Sequence, residues 1–342
     1  MEKDLYGVKV TLKDIANYAE VSSATVSLVL NNKGNISPET RDRVLKAIRH
    51  FDYNKNHGAA SQQRTIKFLR IAKHGQVINR DHDVFIADYL DGLTSGAQEL
   101  DYKLEVVSFA HTSVADIIAS ALQEPSISGA IVLATELNRD DMLLFSTTTI
   151  PIVFIDTYNE YLPFDFVDMD NKSSIYKAFI YLKELGFPEI GFVASYSDIS
   201  NFRIRENAYK ESISYYPDMT PDIISVESTF HGAYRDMNAY LEEHKKLTHK
   251  AYICSNDIMA LGTMKALKDH GFRIPEDVSL LGFDNLPQSA QADPPLSTIE
   301  VSKRDIASIA VKQLHNRIEA PGSPTVRSLV GGALILRESI RR

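Results

Sequence analysis

The stretch TLKDIANYAEVSSATVSLVLNN, residues 11–32, decides what kind of head this chain carries. Leu12, Ile15, Ala16 and Ala19 recur on one helical face and, after a break at 20–22, so do Val26, Val29 and Leu30. That spacing predicts two short helices sharing an apolar seam. A third follows a break at 31–37. Val44, Leu45 and Ile48 fall together, and Ser37 before Pro38 marks its start, since a serine oxygen accepts from an orphan amide and proline has no amide to lose. Ser22 can cap the second helix in the same way. Three helices in so short a segment predict one compact all-helical head, residues 1–52.

Beyond the head the texture changes twice. Residues 52–65, DYNKNHGAASQQRT, are polar, lack a period and contain Gly58; a linker over 53–65, ordered on contact with a partner, is expected. From Ile66 on, short apolar runs alternate with amphipathic ones. IKFLRIA, KLEVVSF, GAIVLA, PIVFID, EIGFVA, DIISVES, AYICSND and VSLLGFD read as strands, and 86–100, 172–186, 231–246 and 257–270 as helices between them. Near-continuous apolar strands alternating with helices predict parallel sheets covered on both faces. The run is too long for one small sheet, and the turn-rich passage from Asp156 to Asp170 lies near its middle. Two similar α/β lobes with a cleft between them follow.

Composition narrows the function classes. At 342 residues with 44% hydrophobic and 24% charged residues, the chain is an ordinary globular protein long enough for two or three domains. No apolar run reaches the roughly 18 residues of a membrane span, and MEKDLYGVKV lacks the apolar core of a signal peptide, so a cytoplasmic protein without membrane partners is expected. The single cysteine, Cys254, can form no internal disulfide and reads as a small buried residue at a strand end. The net charge of -8 is uneven: residues 1–64 hold ten Lys/Arg against seven acids, net +3, which leaves -11 for the rest. A basic head on an acidic body suits a module that touches phosphates, joined to one that does not.

Ligands of open parallel sheets bind beyond the carboxyl ends of strands. The polar residues expected there are Lys73, His74, Asp156, Asp170, Ser195, Asn256 with Asp257, and Asp284 with Asn285, with Phe85 and Phe230 able to stack on a ring. Acids and amides accept from hydroxyl groups, so a small polyhydroxylated guest is expected; the alternative is that such residues merely cap the next helix, as Asn256 or Asp257 could. Enzyme signatures are absent: no phosphate loop of the GxxxxGK[ST] kind, no GxGxxG, HExxH or GxSxG. Ten histidines are scattered without metal-ligand spacing, and His82 and Asp83 near Asp81 come with neither a nucleophile nor a phosphate loop. No metal, cofactor or catalysis is expected.

The residues now point to a family. The opening stretch followed by ISPETRDRVLKA closely resembles the helix-turn-helix of the lactose-repressor (LacI/GalR-type) family. The likeness continues in family order through IDTYNE, DMDN, RIRENAY, CSNDIMALGTMKAL, IPEDVSLLGFDN, PPLSTIEV and LILRES, almost to the end of the chain. The resemblance implies a homodimeric repressor of double-stranded operator DNA, with a periplasmic-binding-protein-like body whose cleft takes a small effector that shifts DNA affinity. The effector would be a sugar, sugar acid or sugar phosphate. It implies three crossings between lobes, placed at 66–160 with 292–320 for the first lobe and 161–291 with 321–342 for the second. A leucine-rich C-terminal helix would signal a tetramer; LRESIRR favours a dimer.

Carried over by motif, Arg205 would fork onto two ligand oxygens, Asn256 and Asp284 would take hydroxyl protons, Phe230 would stack, and Asp156 and Asp170 would face the cleft. Where many members have N-P-F-F, this chain has D-H-D-V-F-I, preceded by Lys73, His74 and Arg80. If those cations reach the cleft, an acidic ligand follows; a solvated loop is the alternative. At the DNA the resemblance places Thr11, Ser22, Ser23, Ala24, Thr25, Ser27, Leu28, Asn31, Ser37 and Thr40, then Tyr53, Asn56, Ala59 and Gln62. Thr11, Asn31, Ser37 and Thr40 would touch phosphates.

Four departures bear on DNA. Glu20 replaces a turn glycine, which costs on the order of 1 kcal/mol. Lys55 replaces a proline. Gln62 stands where many members wedge a leucine into the minor groove, a poor wedge by comparison. Leu28 replaces an arginine that can read guanine, leaving contact with a thymine methyl. The rival is a cytoplasmic carbohydrate-binding or carbohydrate-processing protein that shares only the two-lobed body.

Overall fold

The computed structural model describes residues 11–30, 36–51 and 64–341, and the chain divides into two compact units, Met1–Arg64 and Thr65–Arg342. In the first, α1 (Leu12–Tyr18), α2 (Ser23–Leu30) and α3 (Pro38–His50) form three short helices. Thr11 caps α1 in a box with Asp14, donating its amide to the Asp14 carboxylate while its hydroxyl takes the Asp14 amide. Ser22 accepts from the Thr25 amide at 3.1 Å, and Ser37 from the Thr40 amide at 3.2 Å with Pro38 as the first helical residue. Glu20 makes the α1–α2 turn with φ 53°, the left-handed value its position called for. Ile15, Ala16, Ala19, Val26, Val29, Val44 and Ala47 form the core. Leu45, expected in that core, is 43% exposed; Ala47 replaces it because the α3 stripe runs 44, 47, 48 rather than 44, 45, 48.

The second unit holds two six-stranded sheets of one design. The first contains β1 (Arg64–Ala72), β2 (Tyr102–Ala110), β3 (Ile127–Leu133), β4 (Ile152–Ile155), β5 (Asp165–Met169) and β11 (Arg327–Val330), in the order β11-β5-β4-β3-β1-β2. The second contains β6 (Gly191–Ser195), β7 (Ile223–Val226), β8 (Ala251–Cys254), β9 (Ser279–Asp284), β10 (Ser297–Glu300) and β12 (Ala333–Ile335), in the order β12-β10-β9-β8-β6-β7. Central strands pair in parallel, and β12 runs antiparallel to β10. Strands β4, β5, β8 and β9 are buried throughout, whereas edge strand β2 alternates, which explains why β4, β8 and β9 read as apolar runs. Cys254 ends β8 with no exposed surface.

Helices α4 (Asp83–Glu99), α5 (Val114–Ala121), α6 (Arg139–Leu144), α7 (Asn171–Glu184), α8 (Ser200–Ser214), α9 (Phe230–His244), α10 (Asp257–Asp269), α11 (Pro287–Gln291) and α12 (Lys303–Glu319) cover the sheets. Two pairs, α4 with α12 and α9 with α10, approach closely through glycines. A Cβ on Gly92 would lie 2.6 Å from the Arg304 carbonyl, and one on Gly262 would lie 2.6 Å from that of Phe230.

The crossings between sheets differ from those expected. They fall between β5 and α7, between β10 and α12, and between β11 and β12. So β5 and β11, placed above in the second lobe, belong to the first sheet, and β10, placed in the first lobe, belongs to the second. The passage from Asp156 to Asp170 misled because DFVDM carries two acids that break its apolar run. Asp165 is neutralised by Arg317, whose Nε and Nη2 each lie 2.9 Å from its carboxylate across 152 residues, a pairing no local pattern displays.

Candidate functional site

The carboxyl ends of the two sheets face one cleft. Phe85, Asp156, Arg205, Asn256 and Asp284 meet there with His82 and Thr135, around a cavity of only about 30 Å³, space for about one water. Two of these, Asp156 at the end of β4 and Asp284 at the end of β9, have left-handed φ of 58° and 114°. Strain of this kind in a non-glycine residue persists only where the surroundings enforce it, and it collects at functional sites.

Arg205 is the hub of the cleft. Arising from α8 and 3% exposed, it donates from Nε to Asn171 Oδ1 at 2.7 Å, from Nη1 to the Ser255 carbonyl at 2.5 Å and from Nη2 to Met169 Sδ at 2.9 Å. Its guanidinium lies 3.7 Å from the centroid of the Phe283 ring. Three carboxylates surround it. Asp156 accepts from the Tyr89 hydroxyl at 3.3 Å and from Thr135; Asp168 has only long contacts from Asn171 (3.4 Å) and Asn201 (3.5 Å). Asp284 Oδ1 has no hydrogen-bond partner and stands 3.7 Å from Arg205 Nη2. Burial pushes all three upward in pKa, Asp284 to about 7, and for Asp168 the charge of Asp156 adds to the effect.

His82 is neutral and its tautomer is fixed by its neighbours. Asn79 Oδ1 takes the Asp81 amide, so the oxygen faces His82 Nδ1 at 3.3 Å; Asn256 Oδ1 takes the Met259 amide, so the nitrogen faces His82 Nε2 at 3.2 Å. Nδ1 therefore carries the proton and Nε2 is an acceptor in the cleft. Burial holds the imidazole down at about 4.

The segment between β1 and α4 closes over this site. Glu136, its side chain without exposed surface, accepts the amides of His74 and Gly75 at 2.9 Å and of Val77 and Ile78 at 2.8 Å. Burial pushes the carboxyl upward, but those four amides together hold it below the usual range. The segment so fixed reaches the second lobe: Val77 packs in that lobe's core, Ser228 Oγ donates to the Gln76 carbonyl at 2.8 Å, and the Phe230 amide donates to Asp81 at 3.1 Å.

Four expected ligand contacts lie elsewhere. Lys73 Nζ is 2.5 Å from Asp141, and His74 Nδ1 is turned to Glu136 at 3.5 Å and to the Gln76 amide; neither lines the cavity, because each has a carboxylate of its own outside it. Asp170 caps α7 through the Ser173 amide at 3.0 Å. The Phe230 ring lines a separate groove with Arg80, Ile258 and Met264. Asn256 takes the capping role weighed for it, its oxygen accepting from the Met259 amide of α10, while its nitrogen bridges to His82 of the first lobe. Asp257 is structural, accepting from Leu286, Ser289 and Thr298; Asn285 binds Arg337 at 2.6 Å, and Ser195 takes the Ser197 amide. Reasoning from the sequence missed Thr135 and Glu136, which the strand-end rule finds once applied to GAIVLA. It also missed Asp168, hidden in the strand read as a turn, and Asn171 and Asn201, which carry no spacing signal.

In the head, Thr11, Ser22, Ser37 and Thr40 serve at helix starts, with Thr25 and Ser27 half-buried. Ser23, Ala24 and Leu28 are exposed, Leu28 by 39%. Asn31, Tyr53, Asn56, Ala59 and Gln62 lie outside the described residues. Among those described, no helix is long and apolar enough to cross a membrane, and no group of three His, Cys, Asp or Glu could hold a metal ion.

Comparison with known proteins places both units. Residues 11–56 match the bacterial regulatory proteins of the lacI family, and residues 179–340 match a periplasmic binding protein-like domain. The HTH-type transcriptional repressor PurR of Pasteurella multocida is 27% identical over 338 residues, 97% of this chain and 98% of that protein. Its counterpart in Haemophilus influenzae is 28% identical over 314 residues, 90% and 91% of the two chains. Solved structures of the same fold include the lac repressor dimer bound to operator and the anti-inducer ONPF, at TM-score 0.72 and 22% identity over 97% of this chain and 99% of that one. The complex of the transcriptional regulator CelR with cellobiose aligns at TM-score 0.70 and 23% identity, over 96% and 99%.

Proposed function

Because this chain belongs to the lacI family of bacterial regulatory proteins, DNA-binding repressors with an effector-binding domain, we propose that it acts as a homodimer whose operator affinity changes when a small polyhydroxylated effector binds between its lobes. The observation that carries this is the meeting of Asp156 from one lobe with Arg205, Asn256 and Asp284 from the other in a single buried cleft. Carbohydrate is supported by the acceptor-rich lining and by neighbours of the same fold solved with cellobiose and with ribose. The rival, a carbohydrate-binding or carbohydrate-processing protein, leaves the three-helix head without a role.

The cavity is far below the ~300 Å³ at which small-molecule sites begin, so the lobes must part to admit a ligand and close again around it. Effector and operator are then linked through the balance of open and closed forms, and the shift is limited by the effector's differential affinity for the two. Exposed Ser23, Ala24 and Leu28 offer base contacts, with phosphate contacts from the hydroxyls at helix starts and the hinge at Tyr53, Asn56, Ala59 and Gln62. The test is fluorescence anisotropy of the full chain on an operator selected from random DNA, at several salt concentrations, with and without compounds that raise its melting temperature. Operator affinity that ignores every such compound, or that is flat in log K against log salt, refutes the proposal.

A further inference from the structure

We infer that the ligand of this cleft is uncharged or cationic and rich in hydrogen-bond donors, and that Asp284 selects it by rejecting carboxylated and phosphorylated ligands. The inference rests on the effector proposal above and narrows its ligand class. Two carboxylates line the cavity, those of Asp156 and Asp284. Asp284 Oδ1 is the decisive one, fully buried and without a hydrogen-bond partner. A buried, unpaired carboxylate oxygen is costly, and a ligand hydroxyl or ammonium that donates to it removes the cost.

The neighbouring cations are already engaged. Arg205 spends a donor from each of its three nitrogens on Asn171, Ser255 and Met169. Lys303 donates to the Asp284 carbonyl at 3.0 Å, lies 3.6 Å from Asp88, and stands over the Phe85 ring at 4.9 Å. On the first lobe Lys73 is held by Asp141, and Arg70 by Asp83 at 2.7 Å. An anionic ligand would bring its charge beside the buried carboxylates of Asp156 and Asp284, where Lys303 serves other acceptors and Arg205 has three of its five N–H groups in use. Of the cations that raised the prospect of an acidic ligand, Lys73 and His74 face carboxylates outside the cavity and Arg80 lines the separate groove with Phe230.

Isothermal titration of the full-length protein with the neutral, 2-amino, uronic acid and 6-phosphate forms of glucose, galactose and mannose tests this. In whichever configuration binds, the neutral or amino form is expected to bind at least about tenfold tighter than the acidic forms, the equivalent of one charge-assisted hydrogen bond. An acidic form that binds as tightly overturns the inference and leaves the effector proposal standing. Failure of every sugar to bind or to move operator affinity overturns the carbohydrate proposal instead. A second measurement needs no ligand: Asp284→Asn removes a buried charge that accepts no hydrogen bond at Oδ1 and has its cation, Arg205, only at 3.7 Å, so the ligand-free variant is expected to melt about 2–4 °C higher. A lower melting temperature would make the carboxylate a structural partner of Arg205 and overturn the inference.

Discussion

Substituting Glu136 by glutamine isolates the segment that closes the cleft. The carboxylate takes four amides, two on each oxygen, at 2.8–2.9 Å. Glutamine keeps the shape and one acceptor oxygen, but its amide nitrogen must face two N–H groups that it cannot accept. Two hydrogen bonds to a charged group are lost, at about 1.5–3 kcal/mol each, and the remaining pair loses its charge assistance. Burial leaves no water to compensate, so a loss of about 3–5 kcal/mol is expected, which local release of residues 74–78 would limit. Urea unfolding gives the total, and hydrogen exchange on the full chain locates it, with the amides of His74, Gly75, Val77 and Ile78 exchanging on the order of 100-fold faster. Exchange at these amides within about twofold of the unaltered protein, with stability changed by less than about 1 kcal/mol, would refute this account of the segment.

Stability should respond to pH in two opposed steps. Asp284, held at about 7 against an ordinary 3.8, binds a proton more tightly folded than unfolded, so stability rises as pH falls from 8 through 7. His82, held at about 4 against 6.5, favours the neutral folded form and opposes that gain below about 6.5, so the two slopes cancel and stability levels off there; a melting temperature still climbing from pH 6.5 to 8.5 contradicts the step assigned to Asp284. Leu28→Arg should move preference at the facing base pair from A·T toward G·C by about 1–3 kcal/mol in selection from random DNA, and guanine there for the unaltered protein would refute the assignment. Gly262→Ala should cost about 1–3 kcal/mol by forcing α10 off α9, seen as a lower urea midpoint at unchanged slope; an unchanged midpoint would show that the helices yield freely.

What the sequence displayed and what it hid divide along the range of the interactions involved. The helix starts at Ser22 and Ser37 and most central strands were legible because caps and apolar runs are local. The lobe crossings were not, since Asp165 and Arg317 neutralise each other across 152 residues. In the cleft the strand-end rule found Asp156, Asn256 and Asp284, and the family resemblance supplied Arg205. Lys73 and His74 obeyed the same rule and still face other carboxylates. Strand ends give position along the chain; the direction of a long side chain is set by partners such as Asp141 and Glu136, which only the folded sheet brings near.

Val77 gives the segment over the cleft a thermodynamic role. It is a first-lobe residue buried among the apolar side chains of the second, so parting the lobes returns it to water at about 1.5–3 kcal/mol. That is a factor of roughly ten or more in the closure constant, present before any effector arrives. The apparent affinity of a ligand that binds one form scales with the population of that form. One valine, whose side chain can make no hydrogen bond to a ligand, thereby helps set the effector concentration at which the protein responds. Trimming it to alanine should move that threshold without changing which compounds are recognised.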